Sequence, residues 1–208
     1  MPLVPHYFDP EPALPSQRRE LSLVLPDVQL RLTSDSGVFA ADRVDGGTRF
    51  LLRRAPQPPP AGELLDLGCG YGVIAVTLAL RSPAARVWAV DVNQRALDLT
   101  RVNAVAAGVA TIVATTPDLV PPDVGFDAIY SNPPVRVGLA VLRPLLSRWL
   151  DRLNPQGAAY LVVHRHLGSD SLARWLTAEG YPCLRLASHA GYRILRVQPR
   201  QAVGDDRR

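Results

Sequence analysis

The chain has no lysine, a single methionine and two cysteines. Cys69 and Cys183 lie far apart and in no metal-ligand spacing, which argues against both a disulfide framework and a zinc site. No apolar run reaches the ~18 residues needed to span a bilayer, so no membrane helix is expected. The opening Met1-Pro2-Leu3-Val4-Pro5-His6 lacks the basic-then-apolar pattern of a secretory leader. A cytoplasmic protein without metal or membrane is the resulting expectation. With lysine absent, all 23 basic residues are arginine; the formal net charge is +4. Arginine suits bidentate contact with phosphate. The mild positive balance fits an RNA partner and fits a solvated basic surface equally well.

What is present is enough for one domain with a real core and an appendage: 208 residues, 47% of them hydrophobic. Residues 1–20 are rich in proline and polar groups and read as an extended arm. Leu21 to Leu25 and Val28 to Thr33 alternate around Pro26-Asp27 and predict a β-hairpin. A loop over 34–44 and a short helix over 48–54 follow. Pro56-Gln57-Pro58-Pro59-Pro60 then separates this unit, 21–56, from a larger domain over 57–198, and residues 199–208 form a polar tail. From residue 63 strand and helix patterns alternate: strands at 63–67, 86–91, 110–114, 126–131, 157–164, 182–188 and 192–198, helices at 72–81, 94–107, 138–153 and 169–179. Strands apolar nearly throughout, such as Arg86-Val87-Trp88-Ala89-Val90, fit burial on both faces of a parallel sheet. The expected fold is α/β: a Rossmann-like, doubly wound, seven-stranded sheet with an N-terminal hairpin.

Two motifs sit at predicted strand ends, where ligands of such sheets bind. The first is Leu65-Asp66-Leu67-Gly68-Cys69-Gly70-Tyr71-Gly72. Its glycines allow a sharp turn and a close approach to a ligand. The spacing is G-x-G-x-G rather than the dinucleotide G-x-G-x-x-G, and Asp66 precedes it. A carboxylate there repels a pyrophosphate but can hold, directly or through water, an ammonium such as that of a methionine moiety. Asp91, followed by Val92, ends the next strand, where an acid can accept ribose hydroxyls. S-adenosylmethionine is therefore the favoured cofactor, with Asp66, Gly68, Gly70, Gly72, Asp91 and Val92 around it. Thr116 and Asp118 follow the third strand; Asp118 is either an acceptor for an adenine amine or a turn residue.

The second motif is Ser131-Asn132-Pro133-Pro134. An exocyclic amine is a poor nucleophile because its lone pair is delocalised into the ring. The Asn132 oxygen and the Pro133 carbonyl can accept its two hydrogens and localise that pair, and the prolines restrict the backbone that carries them. No strong general base is needed against a sulfonium leaving group, so positioning and electrostatics carry the rate. Asn132, Pro133 and Pro134 are thus the catalytic candidates, with Asn132 also facing the cofactor.

With these motifs, the chain resembles the small-domain class I methyltransferases, in particular the catalytic half of bacterial 16S rRNA guanine-N2 methyltransferases of the helix-34 type. The resemblance runs from about residue 21 to 198 and includes Gly37-Val38-Phe39, Asp45-Gly46-Gly47, Leu65 to Gly70, Asp127 to Pro134 and Gly191-Tyr192-Arg193. It implies methyl transfer to guanine N2, with ribosomal RNA or the small ribosomal subunit as partner, and places Phe39 at the cofactor and substrate mouth. Longer members carry an extra N-terminal domain that this chain is expected to lack. Val135 stands where an aromatic usually follows Asn-Pro-Pro, so stacking must come from Tyr7, Phe8 or Phe39; Thr116 stands where Asp or Asn is frequent. Arg136 and Arg165 are the candidates for RNA phosphate, while Arg143, Arg148 and Arg152 read as a solvated helix face. Methylation of a protein glutamine or of adenine N6 uses the same amide logic, and a non-catalytic cofactor-binding module is the alternative outside enzymology.

Overall fold

Alternation along one strand shows how the sheet sorts its faces. In β3 (Ala61–Leu67), Leu64 packs into one apolar cluster and Leu65 and Leu67 into a second, on the opposite face. The computed structural model describes residues 14–134 and 137–200. The arm up to residue 13, with Tyr7 and Phe8, the pair Val135 and Arg136, and the tail from 201 lie outside them.

The described chain runs β1 (Arg19–Val24), β2 (Gln29–Ser34), α1 (Gly46–Arg54), β3, α2 (Val73–Arg81), β4 (Ala84–Val90), α3 (Gln94–Ala106), β5 (Ile112–Thr115), β6 (Phe126–Ser131), α4 (Leu139–Leu150), β7 (Leu153–His164), α5 (Ser169–Ala178), β8 (Cys183–His189) and β9 (Tyr192–Val197). The seven-stranded sheet has the order β5-β4-β3-β6-β7-β9-β8. Strands β3 to β7 pair in parallel; β9 is antiparallel to both β7 and β8. This is the Rossmann-like, doubly wound fold, with the order reversing between β3 and β6. The ends of β3 and β6 that carry the two motifs are tied there by the Ser131 hydroxyl, which donates to the Leu67 carbonyl at 2.6 Å.

Helices α1, α2 and α3 cover one face, and α4 and α5 the other. The hairpin β1–β2 forms a separate antiparallel pair, with Val24 opposite Gln29. Its Leu23, Leu25, Leu30 and Leu32 join the same apolar cluster as Ile74, Val76 and Leu78 of α2. Arg81 clamps the join: its guanidinium donates to both Asp27 oxygens at 2.7 and 2.8 Å and to the Leu52 carbonyl at 3.0 Å. Asn103 of α3 does the same from inside. Its Oδ1 accepts from Thr33 N at 2.7 Å, while its Nδ2 donates to the Thr33 carbonyl at 2.9 Å and the Tyr71 carbonyl at 2.7 Å. Removing this buried amide strands three backbone groups, so Asn103→Ala is expected to destabilise by about 2–4 kcal/mol in urea unfolding.

Element limits differ from expectation in places with physical causes. Helix α1 begins at Gly46 rather than 48, because the Asp45 side chain caps it by accepting from Thr48 N. Helix α4 continues past Pro144. Pro144 is exposed, so water can serve the carbonyl one turn back that its missing N–H leaves unpaired. Strand β7 starts at Leu153, earlier than 157, with a register irregularity opposite Phe126 and Ala128. The arginines of α4 and its end are not simply solvated. Arg152 lies over Phe126 and Trp149 and donates to the Val124 carbonyl; Arg143 lies over Trp175 and Arg148 over Trp149. They cover aromatic edges of the core with planar guanidinium groups. Among the described residues no helix is long and apolar enough to cross a membrane, and no cluster of three or more His, Cys, Asp or Glu could hold a metal ion.

Candidate active site

The turn after β3 is built around glycines with two different tasks. Gly72 has φ +87°, and a Cβ there would come within 2.9 Å of the Thr100 hydroxyl oxygen and 3.2 Å of its backbone. Gly70 has φ +53°, and a Cβ there would meet nothing within 4 Å, so this glycine opens onto space rather than onto packing. Thr100 holds the turn by donating to the Gly70 carbonyl at 3.0 Å.

Asp66 points to the α2 face and is fully buried. Its Oδ2 accepts from Ala75 N at 2.8 Å, serving the first turn of a helix whose own N-cap, Gly72, offers no side chain. Its Oδ1 has no partner. Burial pushes the Asp66 carboxyl up to about 8, against the pull of the Ala75 N–H. Asp91, just past the end of β4, accepts from Gly70 N at 2.9 Å and from Asn93 N at 3.0 Å. Burial raises its carboxyl too, outweighing the N–H groups of Asn93, Gly70 and Val92. Two acids therefore sit within reach of one glycine turn, one of them with an orphaned oxygen. A buried acid that lacks a donor, beside the open space at Gly70, suits a cationic amino acid joined to a nucleoside.

A cleft lined by Gly68, Cys69, Gly70, Tyr71, Val73 and Ile74 is shared with Asn132, Asp45, Thr48, Phe39 and Ala40. Asn132 follows β6, and its Nδ2 donates to Asp45 Oδ1 at 2.8 Å and to Thr48 Oγ1 at 3.0 Å. With both amide hydrogens taken, its carbonyl oxygen is the group that can face a substrate. Pro133 is buried behind it. Phe39 is 54% exposed at the mouth of the cleft, held by Ala40 at φ 54°. Its loop is tied to the turn after Asp91: Asn93 Nδ2 donates to the Gly37 carbonyl at 2.9 Å and Arg95 to the Ser36 carbonyl at 2.8 Å.

Other expected site residues lie apart from this cleft. Asp118 sits in a one-turn 3-10 segment after β5, exposed and paired with Arg148 at 3.0 Å, next to Thr116. Arg165 is exposed beyond β7, donating to His166 Nε2 at 3.1 Å. It lies at the same end of the sheet as Asn132, since β6 and β7 are parallel. Val135 and Arg136 are outside the described residues. Thr48, Thr100 and Asn93 escaped the sequence reading, and Asp45 entered it only within a family motif, with no role. The one available signal was Asp45-Gly46-Gly47-Thr48, a capping residue three positions ahead of the N–H it serves.

Comparison with known proteins identifies the family. The family model described as the methyltransferase small domain matches residues 29–196. The chain is 32% identical over 169 residues to the uncharacterized protein YbxB of Bacillus subtilis, covering 80% of this chain and 84% of that one. It is 34% identical over 200 residues to ribosomal RNA small subunit methyltransferase C of Pseudomonas aeruginosa, covering 88% of this chain and 55% of the relative. Among solved structures, the T. thermophilus 16S rRNA guanine-N2 methyltransferase RsmC, in complex with AdoMet and guanosine, superposes with a TM-score of 0.74 at 27% identity, over 91% of this chain and 52% of that one. The chain thus spans about half the length of the small-subunit methyltransferases it matches. By a family match over most of its length, the chain belongs to the methyltransferase small domain family and is an S-adenosylmethionine-dependent methyltransferase.

Proposed function

We propose that the protein methylates an exocyclic nitrogen of RNA, with guanine N2 of small-subunit ribosomal RNA as its target. One observation carries this reading: the Asn132 amide is held with both N–H groups turned away, so that it offers an acceptor in the cleft it shares with the glycine turn. Such an acceptor suits a group with hydrogens to give, and a base amine has two. The second hydrogen goes to the Pro133 carbonyl, which Pro134 keeps in place. The names of the relatives supply the choice of guanine N2 and of ribosomal RNA.

Bound at the glycine turn, S-adenosylmethionine supplies a methyl group on a positively charged sulfur. The chain's part is to hold and align. The unpartnered Asp66 oxygen takes the cofactor's ammonium, directly or through water, and Asp91 takes the ribose hydroxyls. Gly68, Gly70, Gly72 and Val92 let the backbone approach closely, with Thr116 and Asp118 at the adenine end. Asp118 would give up its ion pair with Arg148 to serve there. Phe39 offers its exposed ring to the target base, filling the role left open by Val135, while Arg136 and Arg165 meet RNA phosphate. Within 21–56, the loop at Phe39 and the start of α1 form the substrate-side wall of the 57–198 domain.

The test is direct. The purified protein is incubated with labelled S-adenosylmethionine and, separately, small ribosomal subunits, naked 16S rRNA, large-subunit rRNA, tRNA and a release factor, and the digested product is identified. N2-methylguanosine from the small-subunit samples is expected. Methylglutamine or N6-methyladenosine would overturn the target while keeping the amide chemistry.

A further inference from the structure

The Asn132 amide is nearly symmetric in shape, and its two ends do opposite things. Turned one way it offers an acceptor to the substrate; flipped, it sets N–H groups against the amine hydrogens it is meant to receive. Nothing in Asn132 itself chooses. The choice is made by the start of α1, whose cap, Asp45, lies 87 residues earlier in sequence.

We infer that Asp45 and Thr48 are positioning residues that lock the flip of the Asn132 amide; the inference rests on the role proposed above for Asn132. Asp45 Oδ1 accepts from Asn132 Nδ2 at 2.8 Å while also accepting from Thr48 N at 3.0 Å. A backbone N–H therefore fixes the oxygen that fixes the amide. Thr48, only 7% exposed, presents Oγ1 to the same Nδ2 at 3.0 Å. Flipping Asn132 would face its carbonyl oxygen toward a carboxylate oxygen, which is repulsive. The helix start is itself wedged. The Tyr192 ring of β9 lies so close that a Cβ on Gly47 would come within 2.7 Å of it, and one on Gly46 within 3.5 Å. The carboxylate adds a second effect. Accepting from the amide N–H, it pushes electron density toward the amide oxygen and makes that oxygen a better acceptor. The site thereby selects a reacting atom that carries hydrogens, and disfavours carbonyl or carboxylate oxygens at the same place.

The experiment uses the full chain and two readouts. The first needs no substrate: the Asn132 side-chain NH₂ pair in a ¹⁵N-labelled sample, assigned with Asn132→Ala, is followed for shift and water exchange. The second is turnover on small ribosomal subunits and on transcribed 16S rRNA. Thr48→Val, close in shape to the original, is expected to move the NH₂ pair, speed its exchange and lower kcat about tenfold, as loss of one buried hydrogen bond implies. Thr48→Ser recovers most of that loss. Asp45→Ser keeps a capping hydroxyl for α1 but cannot also reach Asn132, and it lowers kcat further. Cofactor affinity stays within about threefold and melting shifts little, since these bonds serve orientation rather than packing. In an Asn132→Ala background, Thr48→Val has no further effect on kcat.

Unchanged NH₂ signals in Thr48→Val and Asp45→Ser overturn the lock. So does wild-type kcat in both variants when Asn132→Ala is inactive, an outcome that leaves the role of Asn132 standing. Full turnover by Asn132→Ala instead sinks the reading on which the inference rests.

Discussion

Asn132→Ala is expected to leave S-adenosylmethionine bound within about threefold of wild-type affinity while kcat falls about 10²–10³-fold, the usual cost of deleting one preorganised polar group at a reacting centre. The separation follows from where the side chain sits. The acids and glycines proposed for the cofactor belong to the ends of β3 and β4, and Asn132 to the end of β6. Its amide is spent on Asp45 and Thr48 at one end and offered to the cleft at the other. Alanine leaves the Asp45 cap of α1 intact, because that bond to Thr48 N does not pass through Asn132. Calorimetric titration with the cofactor and single-turnover transfer to ribosomal RNA read the two quantities separately. Parallel loss of both would mean that Asn132 shapes the pocket rather than orients the substrate.

Asp66→Asn should make the ligand-free protein more stable and the cofactor complex weaker. The carboxyl is pushed up to about 8 in the folded protein, whereas an unfolded aspartate titrates near 3.9. Between roughly pH 4 and 8 the folded state therefore holds a proton that the unfolded state has lost, and stability falls as pH rises through that window. Asparagine carries no such proton. It can still accept from Ala75 N, and its shape is almost unchanged. The stability gap between Asp66→Asn and wild type should open with pH, reaching about 2–5 kcal/mol in favour of the variant by pH 8. Melting curves from pH 5 to 9 without ligand measure it. The cofactor's ammonium reverses the preference, because it stabilises the ionised carboxylate. Wild type at pH 7 should then release close to one proton on binding, seen as a dependence of the titration heat on the buffer's ionisation enthalpy. Asp66→Asn should release none and bind about 10–100-fold more weakly, the worth of one charge-assisted hydrogen bond. A variant that melts like wild type at every pH would remove Asp66 from this account.

Much of this architecture can be read in the chain because its signals are local. The apolar run before Gly68 and the run ending at Ser131 announce strands that turn abruptly, and both motifs do sit at strand ends on either side of the order reversal. Periodicity placed each helix of the larger domain to within a few residues. What stayed hidden depends on partners far away. Nothing beside Asp45 says that its oxygen will meet Asn132, and nothing beside Asn103 says that it will bridge Thr33 and Tyr71. The earlier start of β7 depends on pairing with Phe126, not on its own Asn154-Pro155-Gln156-Gly157, which reads as a turn. The arginines of α4 look like solvent-facing charges until Trp149, Trp175 and Phe126 are folded beneath them.

Strand order carries a consequence for how the protein is made. Strand β9, the last of the described strands to be synthesised, does not lie at the edge; it sits between β7 and β8. While the chain emerges from the ribosome, β7 offers a bare edge and β8 has no neighbour until the residues of β9 arrive. The sheet cannot close vectorially: β7 and β8 are joined only when β9 arrives between them. The same late strand brings Tyr192 against the start of α1, so the helix start that holds Asn132 is not backed until β9 has been made.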